Sequence, residues 1–175
     1  MTGGSNGPSV VLVGPPGSGK STVGAIVAER LGVAYRDTDA DVVVTAGKPV
    51  ADIFLDQGEP HFRALEAAAV RTALAEHEGV LSLGGGAILR EDTRALLATH
   101  PVVFLDVTLH DAVKRVGLDA PRPLLIGNPR ARWRELMAQR RPLYSEVARV
   151  VVATEGLSPD QVADAVLTAL ELEKA

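Results

Sequence analysis

The sequence contains no cysteine, and aromatic residues make up only 3% of its 175 positions. The absence of cysteine excludes disulfides, thiolate metal sites and cysteine nucleophiles, and a cytoplasmic location is expected. Acidic residues outnumber basic ones, giving a net charge of −4, so we expect no nucleic-acid partner. Neither an apolar run as long as a membrane span nor the pattern of a signal peptide is found, so we expect no membrane association.

Hydrophobic residues are abundant, at 46% of the chain, which is enough for a sizeable core. Short apolar runs bounded by glycine or proline alternate with segments of helical periodicity. This alternation predicts a three-layer α/β fold with a central five-stranded parallel sheet flanked by helices. We expect a flexible tail over residues 1–9 and a single domain over residues 10–175. The strands are expected near residues 10–13, 33–36, 80–83, 102–107 and 150–153.

Two stretches between the predicted strands have distinctive patterns. Residues 50–78 repeat apolar side chains at helical spacing but are interrupted at Gly58 and Pro60, which predicts two helices. Residues 117–129 contain three prolines and two glycines and show no periodicity. This composition predicts a mobile lid over about residues 117–131.

A phosphate-binding loop, GPPGSGKS, occupies residues 14–21, directly after the first predicted strand and before a helical segment. Its glycines let successive backbone N–H groups point at one anion, while Lys20 can reach the β and γ phosphates and Ser21 can offer a hydroxyl to Mg²⁺. An ordinary glycine-rich turn is the alternative, but the flanking strand and helix favour a phosphate-binding loop. The predicted ATP contacts in this loop are Gly17, Ser18, Gly19, Lys20, Ser21 and Thr22.

The loop alone does not separate a phosphotransferase from a hydrolase or a switch, so other charged residues must discriminate. Asp37 and Asp39 follow the second predicted strand and can divide the work, one toward the hydration shell of Mg²⁺ and one toward an acceptor hydroxyl. Their alternative is a solvated acidic turn that begins the next helix. Six of the fourteen arginines fall between Arg122 and Arg141, which indicates local anion binding or a solvated basic helix face.

The order and spacing of several motifs resemble those of the shikimate kinase family. The similarity runs from residue 10 to about residue 170, and its motifs are GPPGSGKST, DTD, ADIF with FRALE, LSLGGGA, RPLL and RRPLY. The resemblance implies a P-loop fold like that of nucleoside monophosphate kinases, with substrate-binding helices over about residues 37–66. It also implies transfer of the ATP γ-phosphate to the 3-hydroxyl of shikimate, with one Mg²⁺ per subunit.

The resemblance assigns roles at the metal and acceptor positions. It implies that Ser21 and Asp37 serve the metal, and that Asp39 binds the substrate hydroxyls and accepts the proton. LSLGGG lacks a terminal acidic residue, which leaves the metal side to Asp37. Shikimate is a carboxylate, which suits guanidinium forks. A role for Arg63 as an exposed helix residue paired with Glu66 remains possible, and is compatible with binding if Glu66 orients it. The implied shikimate contacts are Asp39, Arg63, Gly84, Gly85, Gly86 and Arg140.

Further residues are implied for ATP. Arg122 resembles the lid arginine that swings over the phosphates, and with Lys20 and Asp39 it completes the implied catalytic set; its alternative is a solvated loop residue. Arg115 resembles the arginine that stacks on adenine, and Pro159 lies where the loop lining the other side of the base is expected. Some relatives carry a basic stretch before that proline, whereas this chain has TEGLS at residues 154–158.

Two other functions remain open from the sequence. A related kinase acting on gluconate or another polyol would share the loop, but Arg63 and Arg140 argue against a neutral acceptor. A non-catalytic ATP-binding module predicts loss of Lys20, Asp39 or Arg122, and all three are present. The expected partners are ATP and shikimate, and a monomer is the default.

Overall fold

A computed structural model describes residues 7–116 and 128–172 of the chain. The strands in this part are β1 (Val10–Val13), β2 (Tyr35–Asp37), β3 (Val80–Ser82), β4 (Val102–Asp106) and β5 (Val150–Ala153). They form one sheet in the order β2-β3-β1-β4-β5, and every neighbouring pair is parallel. The predicted five-stranded parallel sheet is therefore confirmed.

Helices follow the strands and cover both faces of the sheet. Those in the described residues are α1 (Lys20–Leu31), α2 (Thr38–Ala46), α3 (Val50–Gln57), α4 (Glu59–Glu76), α5 (Glu91–Leu97), α6 (Leu109–Val116), α7 (Pro129–Val147) and α8 (Pro159–Ala169), with a 3₁₀ turn at Ala87–Leu89. None of them is long and apolar enough to cross a membrane.

The central strand β1 shows why the strands read as apolar runs. Its four side chains alternate between the faces of the sheet, and all are at most 1% exposed. Val10 and Leu12 pack in a cluster with residues of α1 and α8, whereas Val11 and Val13 pack with residues of α4, α5 and α7. A parallel strand covered on both faces carries hydrophobic residues at every position.

Helices α2, α3 and α4 form a smaller cluster of their own. Val42, Ile53 and Phe62 are buried at its centre, and the rings of Phe54 and Phe62 lie 4.8 Å apart. The predicted break between two helices is confirmed, because α3 ends just before Gly58, whose φ of 84° is unfavourable for other residues. These three helices cover the predicted substrate-binding region.

The predicted tail over residues 1–9 is wrong for its last three residues. Gly7 and Pro8 are buried, and the backbone N–H of Ser9 donates to the carbonyls of Glu78 (3.2 Å) and Gly79 (2.9 Å). The chain is thus bonded to the segment before β3 ahead of the first strand. Residues 1–6 lie outside the described residues.

Only residues 128–131 of the predicted lid fall within the described part of the chain. Residues 117–127 lie outside the described part of the chain, but helix α7 already begins at Pro129. Asn128 caps it by accepting a hydrogen bond from the N–H of Ala131 at 3.2 Å. Proline is well placed in a first helical turn, where its missing N–H has no intrahelical partner to lose.

Candidate active site

A cleft of about 410 Å³ opens at the carboxyl ends of three adjacent strands, β2, β3 and β1. Ligand sites of open α/β sheets lie at this edge, where loops from neighbouring strands meet. All the lining residues except Pro16 and Leu83 belong to the sets predicted from the sequence. They are Pro16, Gly17, Gly19, Lys20, Ser21, Thr22, Asp37, Asp39, Leu83, Gly84 and Gly85.

The phosphate loop connects β1 to α1 and ends in a left-handed residue. Gly19 caps α1 with φ 89°, a conformation that side-chain-bearing residues rarely adopt. The Lys20 ammonium crosses the loop and donates to the carbonyls of Gly14 (2.8 Å) and Pro15 (3.2 Å). Ser18 is 1% exposed, and its hydroxyl lies 3.4 Å from the same ammonium. The loop therefore presents a cation and the positive end of a helix to the cleft.

Asp37 ends β2 and caps α2. Its carboxylate accepts a hydrogen bond from the N–H of Asp39 at 2.8 Å. Burial raises the pKa of Asp37, while the Asp39 N–H and the charge of Lys20 act in the opposite direction. The DTD motif thus begins a helix and also lines the cleft, so the two interpretations of these aspartates are compatible.

The oxygens of Ser21 and Asp37 suit a magnesium ion. Both residues line the cleft together with Lys20. The described residues contain no group of three or more His, Cys, Asp or Glu side chains that would hold a metal ion alone. Magnesium keeps several waters and is bound by few protein oxygens together with substrate phosphates, so this sparse set fits it.

Arg63 and Glu66 form a buried ion pair on α4. A guanidinium nitrogen of Arg63 lies 2.8 Å from the Glu66 carboxylate, and Glu66 is only 3% exposed. A second nitrogen contacts the more exposed Glu59 at 3.3 Å. Burial raises the pKa of Glu66, and the charge and hydrogen bond of Arg63 oppose that shift. Glu66 therefore holds Arg63 in a defined orientation, as the sequence spacing suggested.

The turn after β3 is packed too closely for side chains. A Cβ atom built on Gly84 would lie 2.5 Å from an Asp39 carboxylate oxygen and 2.8 Å from a Glu66 oxygen. One built on Gly86 would overlap the Arg63 guanidinium. Glycine at these positions lets the backbone meet charged groups from two helices, α2 and α4.

Arg140 on α7 reaches the same turn. It is 3% exposed, and its guanidinium lies 3.4 Å from the position of a Cβ on Gly85. Among the described residues it has no ion pair within 4.0 Å, and its buried Nε has no hydrogen-bond partner. The adjacent Arg141 instead pairs with Asp106 at the end of β4. Of these two neighbours, Arg140 is therefore the candidate for binding an anionic ligand.

The remaining predicted ATP residues are not brought together by the described structure. Arg122 lies outside the described residues. Arg115 belongs to α6, and its side chain is not among those described. Pro159 begins α8, is exposed, and does not line the cleft.

Sequence reasoning missed two tyrosines. The Tyr144 hydroxyl donates to the Gly85 carbonyl at 2.6 Å, and the Tyr35 hydroxyl is buried beside the hydroxyls of Ser21 and Ser82. The signal for Tyr144 was its position four residues after Arg140 in RRPLY, which places both on one helix face. Tyr35 carried no comparable signal.

The fold and this cleft define a class of protein. A phosphate loop on the central strand of a parallel sheet, beside a buried arginine without a counter-ion among the described residues, characterises a P-loop kinase for small anionic molecules.

Comparison with known proteins identifies the family within this class. The family model for shikimate kinase matches residues 16–171. A shikimate kinase of Streptomyces avermitilis is 68% identical over 168 residues, which cover 96% of this chain and 98% of the relative. The structure of the shikimate kinase from Acinetobacter baumannii in complex with shikimate has a TM-score of 0.90 and 33% identity, covering 96% of this chain and 94% of that one. The chain belongs to the shikimate kinase family, so the predicted family and kinase activity are confirmed.

Proposed function

We propose that this chain transfers the γ-phosphate of ATP to the 3-hydroxyl of shikimate in the cleft between β2, β3 and β1, with Mg²⁺, as a cytoplasmic monomer. The observation that carries the substrate assignment is Arg140, which is buried and has no ion pair within 4.0 Å among the described residues. A buried, unpaired charge is costly, and a carboxylate ligand would remove that cost. A neutral polyol would leave the cost of the buried charge in place.

The two ends of the proposed site have different tasks. The nucleotide end consists of the loop over residues 14–22 together with Asp37. The acceptor end consists of Asp39, Arg63, the turn over residues 84–86 and Arg140. Arg63 is aligned by Glu66, and both guanidinium groups border the glycine turn, Arg63 at Gly86 and Arg140 at Gly85. This arrangement supports a carboxylate held between two arginines, with turn N–H groups facing the ring substituents.

Proton transfer is assigned to Asp39, which lines the cleft beside Gly84. Its carboxylate takes the proton of the 3-hydroxyl while that oxygen bonds to the γ-phosphorus, and the bond from the γ-phosphorus to ADP breaks. Lys20 and, from the lid, Arg122 neutralise the charge that spreads over the transferring group. Ser21, together with Asp37, would hold a Mg²⁺ ion, which would supply further positive charge at the phosphates.

Adenine contacts are assigned to Arg115 and Pro159 on the sequence resemblance. Both lie on helices that follow β4 and β5, the two strands on the side of β1 away from β3: Arg115 is near the end of α6 after β4, and Pro159 is at the start of α8 after β5. The base would then lie on the side of the loop away from the acceptor end. Replacing Arg115 with alanine would remove the assigned contact with adenine. It should therefore raise the KM for ATP and leave the KM for shikimate unchanged.

A substrate panel tests the acceptor assignment. ADP release would be measured with ATP and Mg²⁺ plus shikimate, shikimate methyl ester, gluconate or no acceptor. We expect shikimate to give at least about 100-fold more turnover than the ester, because the ester offers no carboxylate to Arg140 and Arg63. Equal turnover with shikimate and with no acceptor would refute the function, and equal turnover with shikimate and its ester would refute the arginine roles.

Metal and oligomeric state need separate measurements. Chelation of Mg²⁺ with EDTA should abolish ADP release, and added Mg²⁺ should restore it; activity that survives chelation contradicts the metal assignment. Light scattering coupled to size-exclusion chromatography should give the mass of one 18.3 kDa chain. A mass of two chains would contradict the monomer.

A further inference from the structure

Tyr144 lies under the glycine turn at the acceptor end. It is 0% exposed, and its ring packs on Phe104 of β4 with the ring centroids 5.0 Å apart. The hydroxyl donates to the carbonyl of Gly85 at 2.6 Å. Burial raises the pKa of Tyr144 to about 12, so the phenol keeps its proton and remains a donor at neutral pH. The peptide of Gly85 is therefore held by a rigid, well-packed group.

The same hydroxyl lies beside Arg140, one helical turn earlier on α7. A guanidinium nitrogen of Arg140 lies 3.4 Å from the position of a Cβ on Gly85, and the Tyr144 hydroxyl lies 2.6 Å from the Gly85 carbonyl oxygen, so both groups border the same residue of the turn. In agreement, the charge of Arg140 and a hydrogen bond from it lower the pKa of Tyr144, against the larger effect of burial. A phenol whose proton is committed to Gly85 still has lone pairs that can accept from a guanidinium N–H. Tyr144 thus stands between the turn and the arginine.

The glycine turn and Arg140 consequently have the Tyr144 hydroxyl as a common neighbour. The turn comes from the loop after β3 and Arg140 from α7, and no covalent segment shorter than about fifty residues joins them. A ligand that must contact both at once is bound well only if their separation is fixed beforehand. The Arg141–Asp106 ion pair ties the same part of α7 to β4, but it does not reach the turn.

We propose that Tyr144 is a positioning residue for the acceptor, whose hydroxyl fixes the distance between the Gly84–Gly86 turn and the Arg140 guanidinium. This inference rests on the proposed function, since it concerns binding of the shikimate carboxylate and ring. Tyr144 does not touch the reacting atoms. Its effect is therefore expected in acceptor affinity and not in the chemical step.

Replacement of Tyr144 by phenylalanine removes only the hydroxyl and keeps the ring on Phe104. We expect the KM for shikimate to rise about 10-fold, as for a lost hydrogen bond to a buried group, while kcat and the KM for ATP change less than about 2-fold. A general loss of structure would lower kcat and weaken ATP as well. Unchanged shikimate KM, or a loss carried by kcat, would overturn the inference.

Tyr35→Phe is the matched control. Its hydroxyl is also buried, but it lies at the nucleotide end beside Ser21 and Ser82. The same atom is deleted from the same residue type, so we expect the KM for shikimate to change less than about 2-fold. If both variants raise that KM equally, the effect of Tyr144 is not specific to its position and the inference is wrong.

A double-mutant cycle with Arg140→Lys tests the link directly. Lysine keeps the charge but has no guanidinium fork, so Tyr144→Phe should raise the shikimate KM less than about 2-fold in that background. Full additivity of the two changes would refute the coupling. The stabilisation of each variant by shikimate in thermal unfolding gives the same comparison without turnover. If the wild-type protein phosphorylates shikimate and Y144F is stabilised by it as strongly as wild type, this inference alone fails.

Discussion

The nucleotide end comes from one nearly unbroken stretch, residues 14–22, with Asp37 beside it, whereas the acceptor end is assembled from four separate segments. At the nucleotide end the Lys20 ammonium is bonded to carbonyls of its own loop. At the acceptor end Arg140 has no ion pair among the described residues. A local sequence motif can thus supply most of a phosphate-binding site, while the selection of the acceptor depends on how distant elements pack.

Removing the proposed base, Asp39, should have the largest effect and should affect the acceptor end alone. Asp39→Asn should lower kcat about 10³-fold, because the amide cannot take the proton, while the dissociation constant for ATP changes less than about 2-fold. Transient kinetics and nucleotide titration measure the two quantities. Asp41→Asn is the control, since Asp41 pairs with Arg36 on the far side of α2. Equal losses of turnover and ATP binding would show that Asp39 is not confined to the acceptor end.

The converse change is Lys20→Met at the nucleotide end. Without the ammonium, the charge on the transferring phosphate is less well neutralised, and kcat/KM for ATP should fall about 10²-fold. Shikimate binding, followed by calorimetry, should stay within about 2-fold. Lys48→Met removes a lysine that pairs with Asp56 on α3 and should change neither quantity. A large loss of shikimate binding in the Lys20 variant would mean that the ends are not independent.

Gly84→Ala tests whether the close packing of the glycine turn is needed for acceptor binding. The new methyl group would lie 2.5 Å from an Asp39 oxygen and 2.8 Å from a Glu66 oxygen, so these carboxylates must shift. We expect the KM for shikimate to rise about 10-fold, since small misplacements at a site are costly. Gly47→Ala is strained by a φ of 72° but meets nothing within 4 Å, and it should affect stability alone. Equal shikimate KM values in both variants would contradict the crowding argument.

The smallest expected effect concerns the pH dependence of stability at Glu66. Because burial raises its folded-state pKa, the folded protein keeps this proton to higher pH than the unfolded chain does. The contribution of Glu66 to the free energy of unfolding therefore falls as pH rises from its ordinary value through the raised one. Glu66→Gln lacks this fall, so its free energy of unfolding should rise relative to that of the wild type across that pH window. Urea unfolding of both proteins at several pH values measures this difference. If Glu66→Gln lost stability relative to the wild type as the pH rises, the prediction would be contradicted.

The sheet and the nucleotide end could be predicted because their determinants are local. Buried parallel strands are apolar at every position, and the loop carries its glycines, Lys20 and Ser21 in sequence order. Helix α6 was not predicted, although Thr108 gives a start signal by accepting from the N–H of Asp111 at 3.2 Å. The contact of Tyr144 with Gly85 spans 59 residues and depends on how α7 packs, which no local pattern encodes.

Arg140, which is buried and has no ion pair within 4.0 Å in the described part of the chain, has a consequence for the lifetime of the protein. A ligand that binds only the folded state stabilises it by an amount that grows with the ratio of ligand concentration to dissociation constant. A carboxylate that fills the acceptor end would therefore also protect the chain from unfolding and proteolysis. The amount of this protein that survives in a cell would then rise and fall with the supply of its own acceptor.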